Sequence, residues 1–465
     1  MGSEMCIRDS NIMSSKATFT SKLGVIAATV GSAVGLGTVW RFPYEVQNNG
    51  GSIFLVTYLV CVLLMGIPVM LAEFSLGRGS GSDSVGAFRR LTPGKPWWII
   101  GATAVLASYL ILIYYMVVAG WTLEYLWMSI TNQLYAGIDT APNRTAVFSS
   151  IMNESLSTGW RPAFWTSVMI LLNILVLLRG VKKGIERMSN TLMPLLFVIL
   201  VVFCCVALSL PNAMVGVDFF LRPDFSKMNP QVLISAVGQA FFSLSLGMGI
   251  LITYSSYYPK TTKLARTSVT VSGLVFLVAV LMGLIIFPAV KSFGITSDTQ
   301  GVTLIFVTLP EIFTQMPATQ LWSILFFFLL VVAALTSTVS VAEVTIAFLA
   351  AKFRMSRKKA CYVTLVPLFL LSSICAMSLG PLSHLQIFDK TIFDALDYLT
   401  SNIMLPVVAI FVCIYVGHVL PKSFLRDEMT NRGTMRSAVV PTILFIIRYI
   451  APLLIAAVLI NKLLG

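Results

Sequence analysis

Charge is what this sequence has least of. Only 11% of its 465 residues are Asp, Glu, Lys or Arg, where a soluble domain carries about 25%. Such a chain cannot be a water-soluble globule, because its apolar surface must face lipid as well as a core. Histidine is nearly absent: His384 and His418 are not spaced as ligands. No acid pair or nucleophile has a base nearby, so no enzyme is expected. Cysteine is missing from the outside loops: Cys61, Cys204, Cys205, Cys361, Cys375 and Cys413 fall in or beside apolar runs. A disulfide framework is thereby excluded, and these side chains read as small packing residues. The chain also lacks any linker or low-complexity stretch that would divide it. Its first dozen residues, MGSEMCIRDSNI, contain neither the apolar stretch nor the cleavage site of a signal peptide. Segment 1–12 therefore reads as non-native or disordered, with the true start at Met13 and one transmembrane domain over 13–465.

Long apolar runs are abundant. Hydrophobic residues make up 57% of the chain, and its mean hydropathy is +0.88. A spanning helix needs roughly 20 mainly apolar residues. Eleven such runs occur, at 22–47, 51–77, 97–128, 163–178, 188–210, 231–258, 267–290, 319–351, 359–379, 391–420 and 437–461. Barrel strands are short and alternate in polarity, which these runs do not.

The net charge of +13 resides in alternate connections. One set carries Arg78, Arg89, Arg90 and Lys95; Arg179, Lys182, Lys183 and Arg187; Lys260, Lys263 and Arg266; Lys352, Arg354, Arg357, Lys358 and Lys359; and Lys422, Arg426, Arg432 and Arg436. The positive-inside rule makes this set cytoplasmic, with the N-terminus inside and the C-terminus outside a cell (inner) membrane. The bilayer accounts for the basic charge, and a nucleic-acid partner is not needed. A monomer or weak oligomer is expected.

Two spans are interrupted by glycine in mid-membrane: Gly31, Gly35 and Gly37 in span 1, and Gly247 and Gly249 in span 6. Glycine weakens a helix by about 1 kcal/mol, a cost tolerated where backbone unwinds beside a cavity. Spans 1 and 6 each begin a block of five. This fits an inverted repeat over about 16–210 and 231–420, with an extra helix at 437–463, and it marks a binding site at the two breaks.

The segment GSAVGLGTVWRFPYEVQNNGG (31–51) resembles the neurotransmitter:sodium symporter family, in its bacterial amino-acid branch. The likeness continues through GIPVMLAEFSLGR (66–78), VGQAFFSLSLGMG (237–249), LTSTVSVAE (335–343) and DALDYLTSNIMLP (394–406), and in order over 16–463. It implies an all-α polytopic protein with the leucine-transporter-like 5+5 fold and unwound helices 1 and 6. It also implies sodium-coupled amino-acid symport by alternating access.

Residue by residue, the resemblance puts an amino-acid carboxylate at the amides around Val34, Gly35, Leu36 and Gly37, with the Tyr115 hydroxyl beside it. The ammonium falls to carbonyls near Ala33, Phe242 and Ser245. Ile111, Tyr115, Phe242, Ser245, Met248, Ser337 and Val341 line the side-chain pocket. None of them is ionised, so the substrate side chain is expected to be apolar or aromatic. Family members that carry amines have Asp where this chain has Gly35, so the substrate should bring its own carboxylate. Ala333, Thr336 and Ser337 share one face of span 8. With the Gly31 and Val34 carbonyls they supply the five oxygens of the family's second sodium site.

The first sodium site departs from the family pattern. Ala33, Thr38 and Ser243 remain, but the GLGN asparagine is Thr38, and 272–288 in span 7 has neither Asn nor Asp, with Val275 near the expected position. This site is expected to be weak or empty, leaving one sodium as the main coupling ion. The same stretch has no acid, and no hydroxyl beyond Ser272, so no chloride requirement is expected. Arg41 and Asp397 match the outer-gate pair. Glu73 in span 2 is expected to accept hydrogen bonds from the unwound span 6 backbone. Glu343 reads either as a proton carrier or as a hydrogen-bond partner. At the inner gate the family's Arg, Trp and Asp are Lys16, Phe19 and Ala351, so an easily reached inward-facing state is expected. Two other readings stay open: an amino-acid sensor that does not pump, and a proton-coupled or uncoupled facilitator using Glu343.

Overall fold

The computed structural model describes residues 18–138, 143–293, 304–431, 433 and 439–464. Segment 1–12 and Lys16 lie outside the described residues. Within them, nine helices are long and apolar enough to cross a bilayer: Ser52–Ser80, Trp98–Ile130, Trp160–Leu178, Val181–Leu208, Leu264–Ser292, Thr319–Lys352, Arg357–Met377, Ile392–Val419 and Val440–Leu463. They fall on spans 2–5 and 7–11 of the sequence reading.

The remaining two runs are not single helices. Span 1 consists of Lys22–Ala33 and Gly37–Asn48, whose axes diverge by 67°. Span 6, expected over 231–258, consists of Pro230–Ser243 and Ile250–Ser255. Neither half of span 6 reaches the roughly 20 residues needed to cross hydrocarbon alone. The reason is local. Ser245, Gly247 and Gly249 adopt φ of +54°, +77° and +71°, a left-handed backbone that no α-helix can continue through. Upstream, Asn229 caps the first half by accepting a hydrogen bond from the Val232 amide at 3.0 Å, and Pro230 opens its first turn.

Span 8 lies at the centre of the bundle and span 11 at its edge: 78% of the apolar window of span 8 is buried inside the protein, against 33% for span 11. Span 3 packs along span 8, and the second half of span 6 packs against span 2. The loops add short helices that the apolar pattern does not announce, among them Ser84–Leu91, Arg144–Thr158 and Ala213–Leu221. One two-stranded hairpin also occurs, pairing Gln386 with Thr391 and Ile387 with Lys390. Phe388 and Asp389 at its turn both have positive φ, which matches the twist of a tight hairpin. The unalternating apolar runs exclude barrel strands, and a ribbon this short leaves no signal in the sequence.

Gly77 is where span 2 meets the second half of span 6. A Cβ there would lie 1.9 Å from the Ile252 carbonyl oxygen. Gly77→Ala is therefore expected to destabilise the protein by about 1–3 kcal/mol through overpacking, visible as a lower Tm in detergent. An unchanged Tm would contradict this packing.

Candidate functional site

The two interruptions face each other across one cavity of about 170 Å³. In span 1 the helix ends at Ala33, and Val34 leaves helical geometry with φ −81° and ψ 82°. In span 6 the chain turns through Leu244–Gly249. Breaking a helix frees peptide groups that hydrocarbon cannot satisfy, and neighbouring side chains take up several of them here. The Leu36 amide donates to the Tyr115 hydroxyl at 3.1 Å, and the Gly247 amide donates to Glu73 Oε1 at 2.7 Å. The Ser108 hydroxyl donates to the Met248 carbonyl, and the Ser84 hydroxyl to the Gly249 carbonyl at 2.9 Å. Ser245 Oγ donates across the gap to the Ser32 carbonyl at 3.0 Å, tying one break to the other.

Ala33, Gly35, Leu36, Gly37, Ile111, Tyr115, Phe242, Ser245, Met248, Ser337 and Val341 all line this cavity. Val34 does not. It is fully buried, and its amide is bonded to the Val30 carbonyl at 2.7 Å, so it cannot serve as a free donor to a carboxylate. The Gly35 amide is likewise bonded, to the Ala33 carbonyl at 3.0 Å. Thr38, Arg41, Ser243 and Asp397 line it too, as do Ser32, Tyr114, Val118, Ile250 and Phe393, which sequence reasoning missed. Gly35 is glycine for a steric reason. A Cβ there would lie 2.6 Å from both Ser337 Oγ and Tyr115 Oη, filling the cavity.

Span 8 brings a cluster of oxygens to the first break. Ser337 Oγ donates to the Gly31 carbonyl at 3.3 Å. Thr336 Oγ1 donates to the Val332 and Ala333 carbonyls, both at 3.1 Å. Ala333, Thr336, Ser337 and Val34 are all at most 2% exposed. These donors are neutral hydroxyls and carbonyls, and no group of three or more His, Cys, Asp or Glu suited to a metal occurs among the described residues. Such a set suits a hard monovalent cation better than a transition metal. The residues of the first site have found other partners: Thr38 Oγ1 donates to the Ala33 carbonyl at 3.3 Å, and Ser243 Oγ shares a 2.8 Å hydrogen bond with Tyr58 Oη. Val275 is fully buried and offers no oxygen from its side chain. Gln239 donates to the Gly37 carbonyl at 3.5 Å, while its buried Oε1 has no partner.

The sodium:neurotransmitter symporter family model matches residues 16–157 and 150–465. The chain belongs to that family. A sodium-dependent transporter of Bacillus subtilis, YhdH, is 36% identical over 95% of this chain and 97% of its own length. A sodium-dependent transporter of Haemophilus influenzae is 36% identical over 96% of this chain and 98% of its own. The crystal structure of MhsT in complex with L-phenylalanine matches with a TM-score of 0.87 at 40% identity, over 96% of this chain and all of that one. The family is one of transporters, its relatives here are sodium-dependent, and the fold is the leucine-transporter-like one.

The charged residues of this family member are arranged less simply than the sequence suggested. Arg41 and Asp397 both line the cavity but form no ion pair with each other. Arg41 instead pairs with Glu45 at 3.6 Å and lies 4.8 Å above the Phe242 ring, while Asp397 accepts from Ser401 at 2.9 Å. At the opposite end, Ala351 is exposed and Phe19 is buried against Tyr254, Tyr257 and Tyr258. The start of span 1 is fastened by an acid that sequence reasoning missed. The buried Glu186 accepts from the Thr20 amide at 3.0 Å, the Thr20 hydroxyl at 2.7 Å and the Ser21 amide at 3.1 Å. Gly24 leaves room for that carboxylate, since a Cβ would lie 2.1 Å from its Oε1.

Glu343 is fully buried in a two-pronged pair with Arg357, at 2.9 and 2.6 Å, and it accepts from Tyr257 Oη at 2.8 Å. Arg357 also donates to the Leu177 carbonyl at 3.2 Å. In the sequence Arg357 stands among the loop cations. The available signal was that a lone acid within a span demands a partner. Arg357→Gln should lower stability by about 3–5 kcal/mol by stranding a buried carboxylate, and adding Glu343→Gln should recover most of it. Thermal unfolding of the two variants in detergent checks this. Equal losses would mean that the stranded carboxylate is not the source of the cost.

Proposed function

We propose that the protein is a sodium-coupled symporter of a neutral amino acid with an apolar or aromatic side chain. The observation that carries this reading is the pair of interrupted spans facing one small cavity, with Tyr115 anchored on the freed Leu36 amide at 3.1 Å. At about 170 Å³ the cavity is below the roughly 300 Å³ at which drug-sized pockets begin. It suits a small solute. The α-carboxylate sits near Leu36, Gly37 and Tyr115. The ammonium lies by the carbonyls at Ala33, Phe242 and Ser245, and the side chain extends toward Ile111, Met248 and Val341. The L-phenylalanine held in the MhsT crystal structure supports an aromatic candidate. None of Ile111, Tyr115, Phe242, Ser245, Met248, Ser337 and Val341 is ionised, which supports a neutral solute side chain.

One sodium binds with the Gly31, Val34 and Ala333 carbonyls and the Thr336 and Ser337 hydroxyls, and it supplies the main coupling. The first site contributes little, because Ser243 is engaged with Tyr58 and span 7 offers Val275 in place of an amide side chain. Chloride is not required. Solute and ion are exposed alternately to the two sides, with the N-terminus in the cytoplasm. Arg41 and Asp397 close the outer side over the solute. Glu343 is a structural acid and not a proton carrier, a reading that its pairing with Arg357 supports. The same pairing weakens the proton-coupled alternative.

Uptake into proteoliposomes tests this. An inward sodium gradient should drive accumulation of a phenylalanine-like amino acid, with a Hill coefficient for sodium near one and no loss when chloride is replaced by gluconate. Thr336→Ala with Ser337→Ala should raise the sodium concentration for half-maximal uptake at least about tenfold, the equivalent of one lost hydrogen-bonding oxygen pair. Flux that merely equilibrates, or that follows a proton gradient alone, would overturn the proposal.

Gly35→Ala should abolish amino-acid binding without unfolding the chain, read as loss of ligand-induced thermal stabilisation. Retained binding would show that the solute lies elsewhere.

A further inference from the structure

An apolar trench of about 360 Å³ lies between spans 3 and 10, walled by Trp97, Ile99, Thr103, Val407, Val408 and Phe411. It is separate from the central cavity and shares no lining residue with it. The trench opens outward: Ile99 and Phe411 are 53% and 43% exposed. Its one hydroxyl, on Thr103, is already bonded to the Ile99 carbonyl at 3.0 Å, so nothing in it asks for a polar ligand. Both walls belong to membrane-spanning helices, so the surroundings are hydrocarbon and the natural occupant is an acyl chain.

Two cations adjoin this lining. Lys95 directly precedes Pro96, which lines the trench, and Arg89 lies 4.8 Å above the ring of the exposed Trp98. Neither cation has a carboxylate within ion-pair distance among the described residues. The sequence explains why: no Asp or Glu occurs between Asp83 and Glu124, or between Asp397 and Asp427. Arg90, by contrast, is occupied by the Ser80 and Gly81 carbonyls. Helix rise places Thr103 about 7–8 Å deeper than Trp98, within the roughly 15 Å depth of one leaflet. The floor is stiffened by Trp97 packing 5.4 Å from Tyr415, whose hydroxyl bonds Thr92 at 3.0 Å.

We propose that this trench is a binding site for an anionic glycerophospholipid, with one acyl chain between spans 3 and 10 and the headgroup phosphate on Arg89 and Lys95. Trp98 marks the interface where headgroup and chain meet, as aromatic side chains do at membrane boundaries. Zwitterionic lipid enters the same groove but gains less there, because its own positive charge repels the two cations.

The test uses the full-length protein in liposomes containing a trace of phosphatidylglycerol or phosphatidylcholine with a photoactivatable diazirine in the acyl chain. Crosslinked peptides are mapped by mass spectrometry. Peptides covering 97–103 and 405–411 should be labelled at least about fivefold more by phosphatidylglycerol, the factor expected from one basic residue against an anionic lipid. Arg89→Gln with Lys95→Gln should erase that preference while leaving labelling by phosphatidylcholine and monodisperse elution intact. Thr103→Trp, which fills the trench, should remove labelling by both lipids. If the double variant does not fold, Lys95→Gln alone should lower the preference about fivefold. Equal labelling by the two lipids in the unaltered protein, or a preference that survives loss of the cations, would overturn the proposal.

Discussion

Everything about this protein follows from a shortage of hydrogen-bond partners in hydrocarbon. A peptide group released from a helix in water costs little, but the same group in a membrane must be met by protein. Spans 1 and 6 release several at one level. The groups that receive them, Glu73, Ser84, Ser108 and Tyr115, come from span 2, the short helix Ser84–Leu91 and span 3. The cavity is therefore held by helices beyond the two broken spans as well as by its own walls. Ser245 shows how tightly this is specified. It is a non-glycine residue at φ +54°, and its hydroxyl bond to the Ser32 carbonyl locks both breaks together.

Buried charge obeys the same rule. Glu343 has Arg357, Glu124 has Arg161 at 3.0 Å, and Arg78 has Glu428 at 2.7 Å. Glu186 is bound instead by amides and hydroxyls at the start of span 1, where a carboxylate also faces the positive end of the helix dipole. The aligned acid of the family's inner gate is missing at Ala351, but an acidic fastener for the N-terminal segment is not.

The spans were legible because lipid imposes one strong, long-wavelength signal. The breaks were legible because glycine clusters in mid-membrane have few other uses. Short amphipathic loop helices such as Ser84–Leu91, and the hairpin turning at Phe388 and Asp389, leave no comparable trace. At the site, the residues read from motif identity as solute-binding gather around one cavity, with Val34 the exception. An amide's availability depends on whether the preceding turn of helix uses it, and Val30 does. Partners distant in sequence stayed hidden for a related reason: Tyr58 with Ser243 and Glu186 with Thr20 are made by tertiary packing. Nothing local in either member announces the other.

Arg41 is already occupied, by Glu45 on one side and the face of Phe242 on the other. Joining Asp397 would therefore exchange one carboxylate for another instead of creating an ion pair from two hydrated charges. An exchange of like for like is nearly level in energy. On the proposed symport reading, a bound solute would then have only a small difference to overcome in drawing the guanidinium across. The balance point would sit in Glu45, a residue that lies outside the cavity.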